Sequence, residues 1–440
     1  MSFTWNPVFR EIIRLKEEYV TKFGLNKNLY DAGEYKTCVD KWIAGTNDEF
    51  WSQVRPFLIL KQYKTAILFK YGNLAMLSEL AEADGLETVD QLWNAWDGFL
   101  QSCRSITIDV KDEIILTSPF DKFFNIGELE STSWDVVKEL MKKASNIEFS
   151  NKLDGSICIT RYVNGNFFVT TSGSLDPKEE KSTVLRDVKD MFLSEQCNNL
   201  RQMVKSFPEY TFMFEYIAVN NRIVVKYSKE DEGLYLIGMR NIYDGTSFSY
   251  KDLRTIASDF NTKVTSVFNG TLDEVMEQIK TKTSDEMEGF VINIDGHLFK
   301  LKTDDYVKIH KIISRLSSPN VLIKAIADGI YDDLLSKIPD TFKPVVKKMA
   351  KIIFEYEEHN QKLTEEYYHI APKGDRKEFM IWVDTNVPSA LRSAVRNVFL
   401  GKTNNFLRKE RGKGNYQYTK ISQIDPKFYD NIGSWGEGEE

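Results

Sequence analysis

A lysine, a carboxylate and a tight turn stand together at Asn151-Lys152-Leu153-Asp154-Gly155-Ser156. A lysine amine kept partly neutral is a nucleophile that can form a covalent intermediate, and burial or a neighbouring cation lowers its pKa toward that state. Attack on a phosphate is the chemistry this grouping suggests. The plainer alternative is an Asx turn on the surface between two strands, and the short pattern K-x-D-G taken alone favours it.

Two further segments carry polar residues where a strand would otherwise be apolar. In Tyr210-Thr-Phe-Met-Phe-Glu-Tyr-Ile-Ala218, strand alternation puts Phe212, Phe214 and Tyr216 on one face and Met213, Glu215 and Ile217 on the other. Glu215 is thus a carboxylate among apolar neighbours that needs a partner. The run Asn221-Arg-Ile-Val-Val-Lys-Tyr227 follows closely. Met287 to Lys302 reads as a β-hairpin turning at Asp295-Gly296. Alternation in Phe299-Lys300-Leu301-Lys302 sends both lysines to one face. On an exposed strand such a pair is a solubilising edge. Opposite Lys152 and a triphosphate it would cradle phosphate oxygens and depress the pKa of the nucleophilic lysine.

The elements that must hold these groups fall into three parts. Residues 1–95 read as mainly helical, with Phe9, Ile12, Ile13, Tyr19 and Val20 on a helix closed by Gly24 and more helical pattern through Leu74–Leu80 and Val89–Leu100. Residues 96–312 are strand-rich, with hairpin turns at Asn164-Gly165 and Asp295-Gly296. Residues 313–440 turn helical again, over 321–338, 344–368 and 388–400, and end in a Gly/Glu tail expected to fray.

In their order, Lys152-x-Asp154-Gly155-Ser156, Phe214-Glu215, Tyr235 to Arg240, Glu288-Gly289 and Lys300-x-Lys302 resemble the motif series of the covalent nucleotidyltransferases. That superfamily holds RNA ligases, DNA ligases and mRNA capping enzymes. Within it the chain is similar to the phage-type ATP-dependent RNA ligase 1 family. The phrases that carry this are Cys103-Arg104, Pro119-Phe-Asp-Lys-Phe-Phe-Asn125, Asn221-Arg-Ile-Val224, Glu288-Gly-Phe-Val291 and Asp305-Tyr306, together with Lys152 and Lys300 to Lys302.

The resemblance implies an α+β protein: an antiparallel-sheet nucleotidyltransferase domain over 96–312, an all-helical C-terminal domain over 313–440 and a helical N-terminal extension over 1–95. It implies that Lys152 becomes bound to AMP and that Asp154-Gly155 shape the loop presenting it. Glu215 and Glu288 would contact ribose, the lysine or a metal, without a choice between them. Arg104, Lys122, Lys300 and Lys302 would contact phosphates, Phe124 would stack near adenine, and Tyr306 would touch phosphate or ribose. Packing in the core is the plainer alternative for Phe124 and Tyr306. ATP and Mg²⁺ (or Mn²⁺) are the implied cofactors. The implied partners are RNA ends, single-stranded or nicked tRNA-like, with no membrane and no protein partner. Two positions depart from the family pattern. Ser172 stands where a basic residue is usual, and Ser105 where glycine is frequent.

Helices rather than short strands after Lys302 favour the RNA ligase 1 type over DNA ligases and capping enzymes, which usually continue into an OB-fold. The similarity thins after about residue 335. The rival readings are a DNA ligase or GTP-using capping enzyme, and a non-catalytic RNA-end-binding protein on the same fold.

Composition agrees with this without leading to it. The chain has 440 residues, 42% of them hydrophobic, enough for two or three domains. No stretch is apolar enough to span a bilayer and Met-Ser-Phe-Thr-Trp lacks a signal pattern, so a cytoplasmic location is expected, and the resemblance implies a bacterial or phage-infected cell. Cys38, Cys103, Cys158 and Cys197 are far apart, which points to reduced thiols rather than a zinc site, and His297, His310, His359 and His369 form no ligand cluster. A net charge of −7 confines phosphate contact to local patches. Arg408 to Lys420 is such a patch, five cations against one acid with Tyr416 and Tyr418 interleaved, and it reads equally as an RNA-stacking surface or a solvated loop. Gly401-Lys402-Thr403 imitates the end of a phosphate-binding loop, but Arg396 occupies the required glycine.

Overall fold

The computed structural model describes residues 3–25, 38–72, 89–175, 183–308, 310, 319–336, 338, 343–412 and 415–426. The chain divides into two compact units, Met1–Tyr306 and Val307–Glu440.

The first unit begins with the helix Pro7–Phe23. The Asn6 side chain accepts the N–H groups of Val8 and Phe9, Pro7 opens the first turn, and Gly24 closes the last at φ 61°. Its buried stripe is Val8, Phe9, Ile12, Leu15, Tyr19 and Val20, with Leu15 rather than Ile13 at the centre. The expectation of a helical extension over 1–95 is corrected here. Strands β1 (Leu58–Tyr63) and β2 (Ala66–Tyr71) pair antiparallel and continue into β3 (Arg104–Asp109) and β4 (Ile114–Thr117) as one sheet. The two six-residue runs are too short for a helix and rich in Ile, Phe and Tyr, so sheet pairing wins. The predicted helix over 89–100 breaks into Val89–Asn94 and Phe99–Ser102, because Trp96 and Asp97 take left-handed conformations between them. The helical pattern expected over 74–80 lies outside the described residues.

Two more antiparallel sheets follow. One has the order β10-β5-β11-β12, from Val267–Phe268, Ile147–Lys152, Gly289–Ile294 and His297–Lys302. The other has the order β7-β6-β8-β9, from Asn166–Thr170, Ser156–Val163, Tyr210–Ile217 and Gly233–Asn241. Both expected hairpin turns form, with Asn164-Gly165 at φ 48° and 82° and Asp295-Gly296 at 48° and 94°. Helices Trp134–Lys143 and Leu272–Thr281 cover the first of these sheets through Val137, Val275 and Ile279 against Phe149, Phe290 and Phe299. Helices Thr183–Leu193, Asn198–Ser206 and Tyr250–Asp259 cover the second, burying Phe212, Phe214 and Tyr216. The chain crosses from β5 to β6 through Leu153-Asp154-Gly155, so the lysine segment is the link between the two sheets.

The second unit contains helices Pro319–Ala327, Tyr331–Ser336, Lys343–Ile370, Arg376–Asn386, Arg392–Phe399 and Ile421–Ile424. It is not all-helical: β13 (Arg408–Gly412) and β14 (Asn415–Tyr418) form a hairpin within the basic run. Asp328 anchors it, receiving Arg408 at 2.5 Å and the Tyr418 hydroxyl at 3.0 Å. The helix expected over 321–338 ends at Asp328-Gly329, where Gly329 has φ 72°. The four cysteines are free and buried, as expected for reduced thiols. Among the described residues no helix is long and apolar enough to cross a membrane.

Candidate active site

Lys152 ends β5, and the strand register determines its neighbours. Gly289 of β11 pairs with Lys152 on one side and with Lys302 of β12 on the other, so the three residues form a row across three strands. Glu288, next in the chain to Gly289, reaches both ammonium groups, with Lys152 Nζ 2.7 Å from Oε2 and Lys302 Nζ 2.8 Å from Oε1. Glycine is required at 289. Its φ is 147° and a Cβ there would stand 2.1 Å from the Leu301 carbonyl oxygen.

Asp154 holds the loop rather than facing the cavity. Its Oδ2 accepts the N–H groups of Val224 and Val225, both at 2.8 Å, and its Oδ1 accepts the Tyr306 hydroxyl at 2.7 Å. The Asp154 N–H in turn donates to the Tyr227 hydroxyl at 2.9 Å. Glu215 stands on the face of β8 opposite the helix core and accepts the Gly155 N–H at 3.0 Å. A Cβ at Gly155 would meet the Tyr216 carbonyl oxygen at 2.3 Å, so β6 can approach β8 here only with glycine at that position. The run after Asn221 is irregular chain rather than strand, because its N–H groups serve Asp154.

These residues open onto a cavity of about 630 Å³ lined by Lys152, Gly155, Glu215, Lys300, Lys302 and Arg104, with Phe123 and the loop Ser172-Gly173-Ser174 on its wall. Arg104 donates to the Asp121 carbonyl at 3.1 Å, and Lys300 donates to the Phe123 carbonyl at 2.9 Å. Both cations lie over the Phe123 ring, at 4.7 and 4.5 Å from its centroid. Ser105 takes φ 69°, the left-handed conformation that glycine adopts freely, and its hydroxyl donates to the Ser172 carbonyl at 2.7 Å.

Burial and charge set the protonation of the cluster. Burial pushes Lys152 down, but Glu288, Glu215 and Asp154 outweigh it and hold the amine above its ordinary value. Burial pushes Glu288 up, and the two lysines overcome it and bring the carboxyl below its usual range. Glu215 is raised to about 7 by burial together with the charges of Glu288 and Asp154. Lys300 is lowered to about 6 by burial and then by Arg104, Lys122, Lys152 and Lys302. The expected depression of Lys152 by the β12 lysines is therefore corrected. Both lysines share one face, but Glu288 stands between Lys302 and Lys152, and Lys300 is the depressed amine.

Three residues expected to contact the nucleotide do not line this cavity. Phe124 is buried in the core against Trp93, and Phe123 stands on the cavity wall with Phe120 and Tyr250. Lys122 lies 4.4 Å over the Phe124 ring and pairs with Glu128 at 3.6 Å, lining an adjoining cavity. Tyr306 is buried and its hydroxyl donates to Asp154. Tyr227 and Phe123 were missed as functional residues, although both stand within phrases the sequence singled out. Of the two carboxylates expected at a metal, Glu288 has an ammonium group on each oxygen. Glu215 lines the cavity with one oxygen that has no hydrogen bond among the described residues. Among the described residues there is no group of three or more His, Cys, Asp or Glu able to hold a metal by themselves, and Mg²⁺ is usually held by one or two carboxylates with phosphate oxygens and water.

Residues 102–307 match the sequence profile of a family described as RNA ligase. A protein of Autographa californica nuclear polyhedrosis virus, designated bifunctional polynucleotide kinase/RNA ligase, is 28% identical over 258 residues, 56% of this chain and 36% of that protein. The chain thus spans about a third of the length of that relative. Naegleria gruberi RNA ligase with PPi is 14% identical, with 43% of this chain and 57% of that chain covered and a TM-score of 0.34. A lysine-to-alanine mutant of the same ligase with ATP and Mn is 13% identical, with 44% and 59% covered and the same TM-score of 0.34. Likeness at that level carries nothing about chemistry, and the similarity to RNA ligases rests on the profile match and the viral relative. All the groups that line the Lys152 cavity lie between Arg104 and Lys302, within the segment 102–307 that matches the profile of the RNA ligase family.

Proposed function

We propose that this chain is an ATP-dependent RNA ligase that joins a 5′-phosphate RNA end to a 3′-hydroxyl end through a lysyl-AMP formed on Lys152. The observation that carries this reading is the Lys152–Glu288–Lys302 bridge at 2.7 and 2.8 Å on the wall of a cation-lined cavity, inside the segment that matches the family.

In the first step the Lys152 amine attacks the α-phosphorus of ATP. A nitrogen–phosphorus bond forms, the bond to the bridging oxygen breaks, and pyrophosphate leaves with the electron pair. The amine, which Glu288 holds as an ammonium through a hydrogen bond, must shed its proton before it attacks. In the second step an oxygen of the RNA 5′-phosphate attacks the same phosphorus and Lys152 departs. In the third the 3′-hydroxyl attacks the activated 5′-phosphate and AMP leaves. Arg104, Lys300 and Lys302 line the cavity and would stabilise charge on the phosphates in each step. Mg²⁺ or Mn²⁺, when bound with ATP, would offset phosphate charge, with Glu215 the cavity carboxylate in reach.

The test is covalent labelling of the wild type and of Lys152→Ala with α-labelled ATP or GTP and Mg²⁺, followed by joining assays on RNA and DNA ends. Label from ATP on the denatured wild type, absent in the variant, with sealing of RNA ends, is the expected outcome. Label from GTP, or sealing of DNA ends alone, would replace this reading with a capping or DNA-ligase one. No label from either nucleotide on folded protein freed of bound AMP would leave an RNA-end-binding protein. Repair of broken RNA, cleaved tRNA included, is the biological role we infer from the family. Equal joining of a nicked tRNA stem-loop and an unrelated single strand would count against the tRNA part.

A further inference from the structure

Strand β2 carries a cation beside the cavity loop Ser172-Gly173-Ser174, from outside the family segment. Along β2, Ile67 and Phe69 face the core that contains helix Pro7–Phe23, while Leu68 and Lys70 face the other way. Leu68 packs with Leu175, and two residues further Lys70 Nζ lies beside the cavity loop, 3.4 Å from where a Cβ at Gly173 would stand. Lys70 is paired in register with Arg104, a cavity residue. The loop itself offers Ser172 and Ser174, short and neutral, so it brings no positive charge of its own. The Lys70 ammonium has no hydrogen bond or ion pair among the described residues, and the side chain is partly buried. Burial lowers its pKa, with no neighbouring carboxylate to restore it. A cation taken out of water without a partner is unfavourable until an anion arrives.

We propose that Lys70 is a phosphate-binding residue of the Lys152 cavity, contacting an anionic phosphate across the Ser172-Gly173-Ser174 loop. The phosphate belongs either to ATP or to the RNA 5′ end, and the inference rests on the ligase reading. It makes the N-terminal sheet part of the active site rather than an appendage.

The experiment uses the full chain as wild type, Lys70→Met, Lys70→Arg and the double variant Lys70→Met/Ser172→Lys. Single-turnover formation of the labelled lysyl-AMP is followed against ATP concentration. Transfer of AMP from the labelled protein to 5′-phosphorylated RNA is followed against RNA concentration. Lys70→Met is expected to raise one half-saturation concentration by roughly 10- to 100-fold, the scale of a lost charge-assisted hydrogen bond, and by more than it lowers the maximal rate. Lys70→Arg and the relocated charge in Ser172→Lys are expected to restore most of it. A rise in the ATP arm assigns the contact to the nucleotide, and a rise in the RNA arm assigns it to the 5′-phosphate. Wild type that labels while Lys70→Met matches it in both arms overturns this inference alone. An equal fall in maximal rate in both arms, with lowered Tm and no recovery in Lys70→Arg, marks a structural role and overturns it too. Wild type that takes no label overturns the ligase reading and this inference together.

Discussion

Glu215 is a carboxyl group in a place that disfavours its charge, and this has a thermodynamic consequence. Its folded-state pKa is about 7 against an ordinary 4.5, so between those values the folded chain binds a proton that the unfolded chain has released. Stability from this group is complete below pH 4.5 and is lost as pH rises through about 7. Glu215→Gln keeps an acceptor for the Gly155 N–H and removes the charge. The variant is expected to match wild type near pH 4.5 and to exceed it at pH 8 by roughly 2–3 kcal/mol, read by chemical denaturation at the two pH values. Equal stability at pH 8 would show that the carboxylate is accommodated at no cost. Glu288 is the opposite case, a buried carboxylate stabilised as an anion by two lysines.

The β11–β12 hairpin is the element that makes the lysine bridge. Its register sets Lys302 and Lys152 on either side of Gly289, and the turn at Asp295-Gly296 determines that register. Gly289→Ala would push a Cβ to 2.1 Å from the Leu301 carbonyl oxygen and strain the backbone at φ 147°. We expect a loss of about 3 kcal/mol or more, together with weakened lysyl-AMP formation, because the strands part beside Glu288. Urea unfolding checks the first and ATP labelling the second, and an unchanged midpoint would refute the argument. The hairpin, its turn and the facing of Lys300 and Lys302 were legible in the sequence because period-2 alternation and an Asp-Gly turn are local signals. The left-handed break at Trp96 and Asp97 was not, since neither residue type announces that conformation.

At the scale of the whole first unit, β1 and β2 complete the sheet that β3 and β4 begin, and helix Pro7–Phe23 shares a core with Phe69, Ile106 and Ile108. A division at residue 95 would cut that core. Residues 1–306 expressed alone are expected to unfold cooperatively, whereas 96–306 should aggregate or melt at a markedly lower temperature, as thermal unfolding with size-exclusion chromatography would show. Equal Tm values for the two would make the N-terminal part a separable extension.

The chain's own residues and their order determined the nucleophile, the carboxylates, the paired lysines and the two hairpins, because each depends on neighbours a few positions apart. Tertiary structure alone decided how the long-range partners meet. Glu288 and Lys152 are 136 positions apart and Tyr306 and Asp154 are 152 apart, and no local pattern says which carboxylate takes the lysine and which has its pKa raised by burial. The same holds for Phe123 over Phe124, for Lys300 as the depressed amine, and for Lys70 at Gly173. Each depends on burial and on the summed field of groups from different strands, which exist only once the sheets have packed.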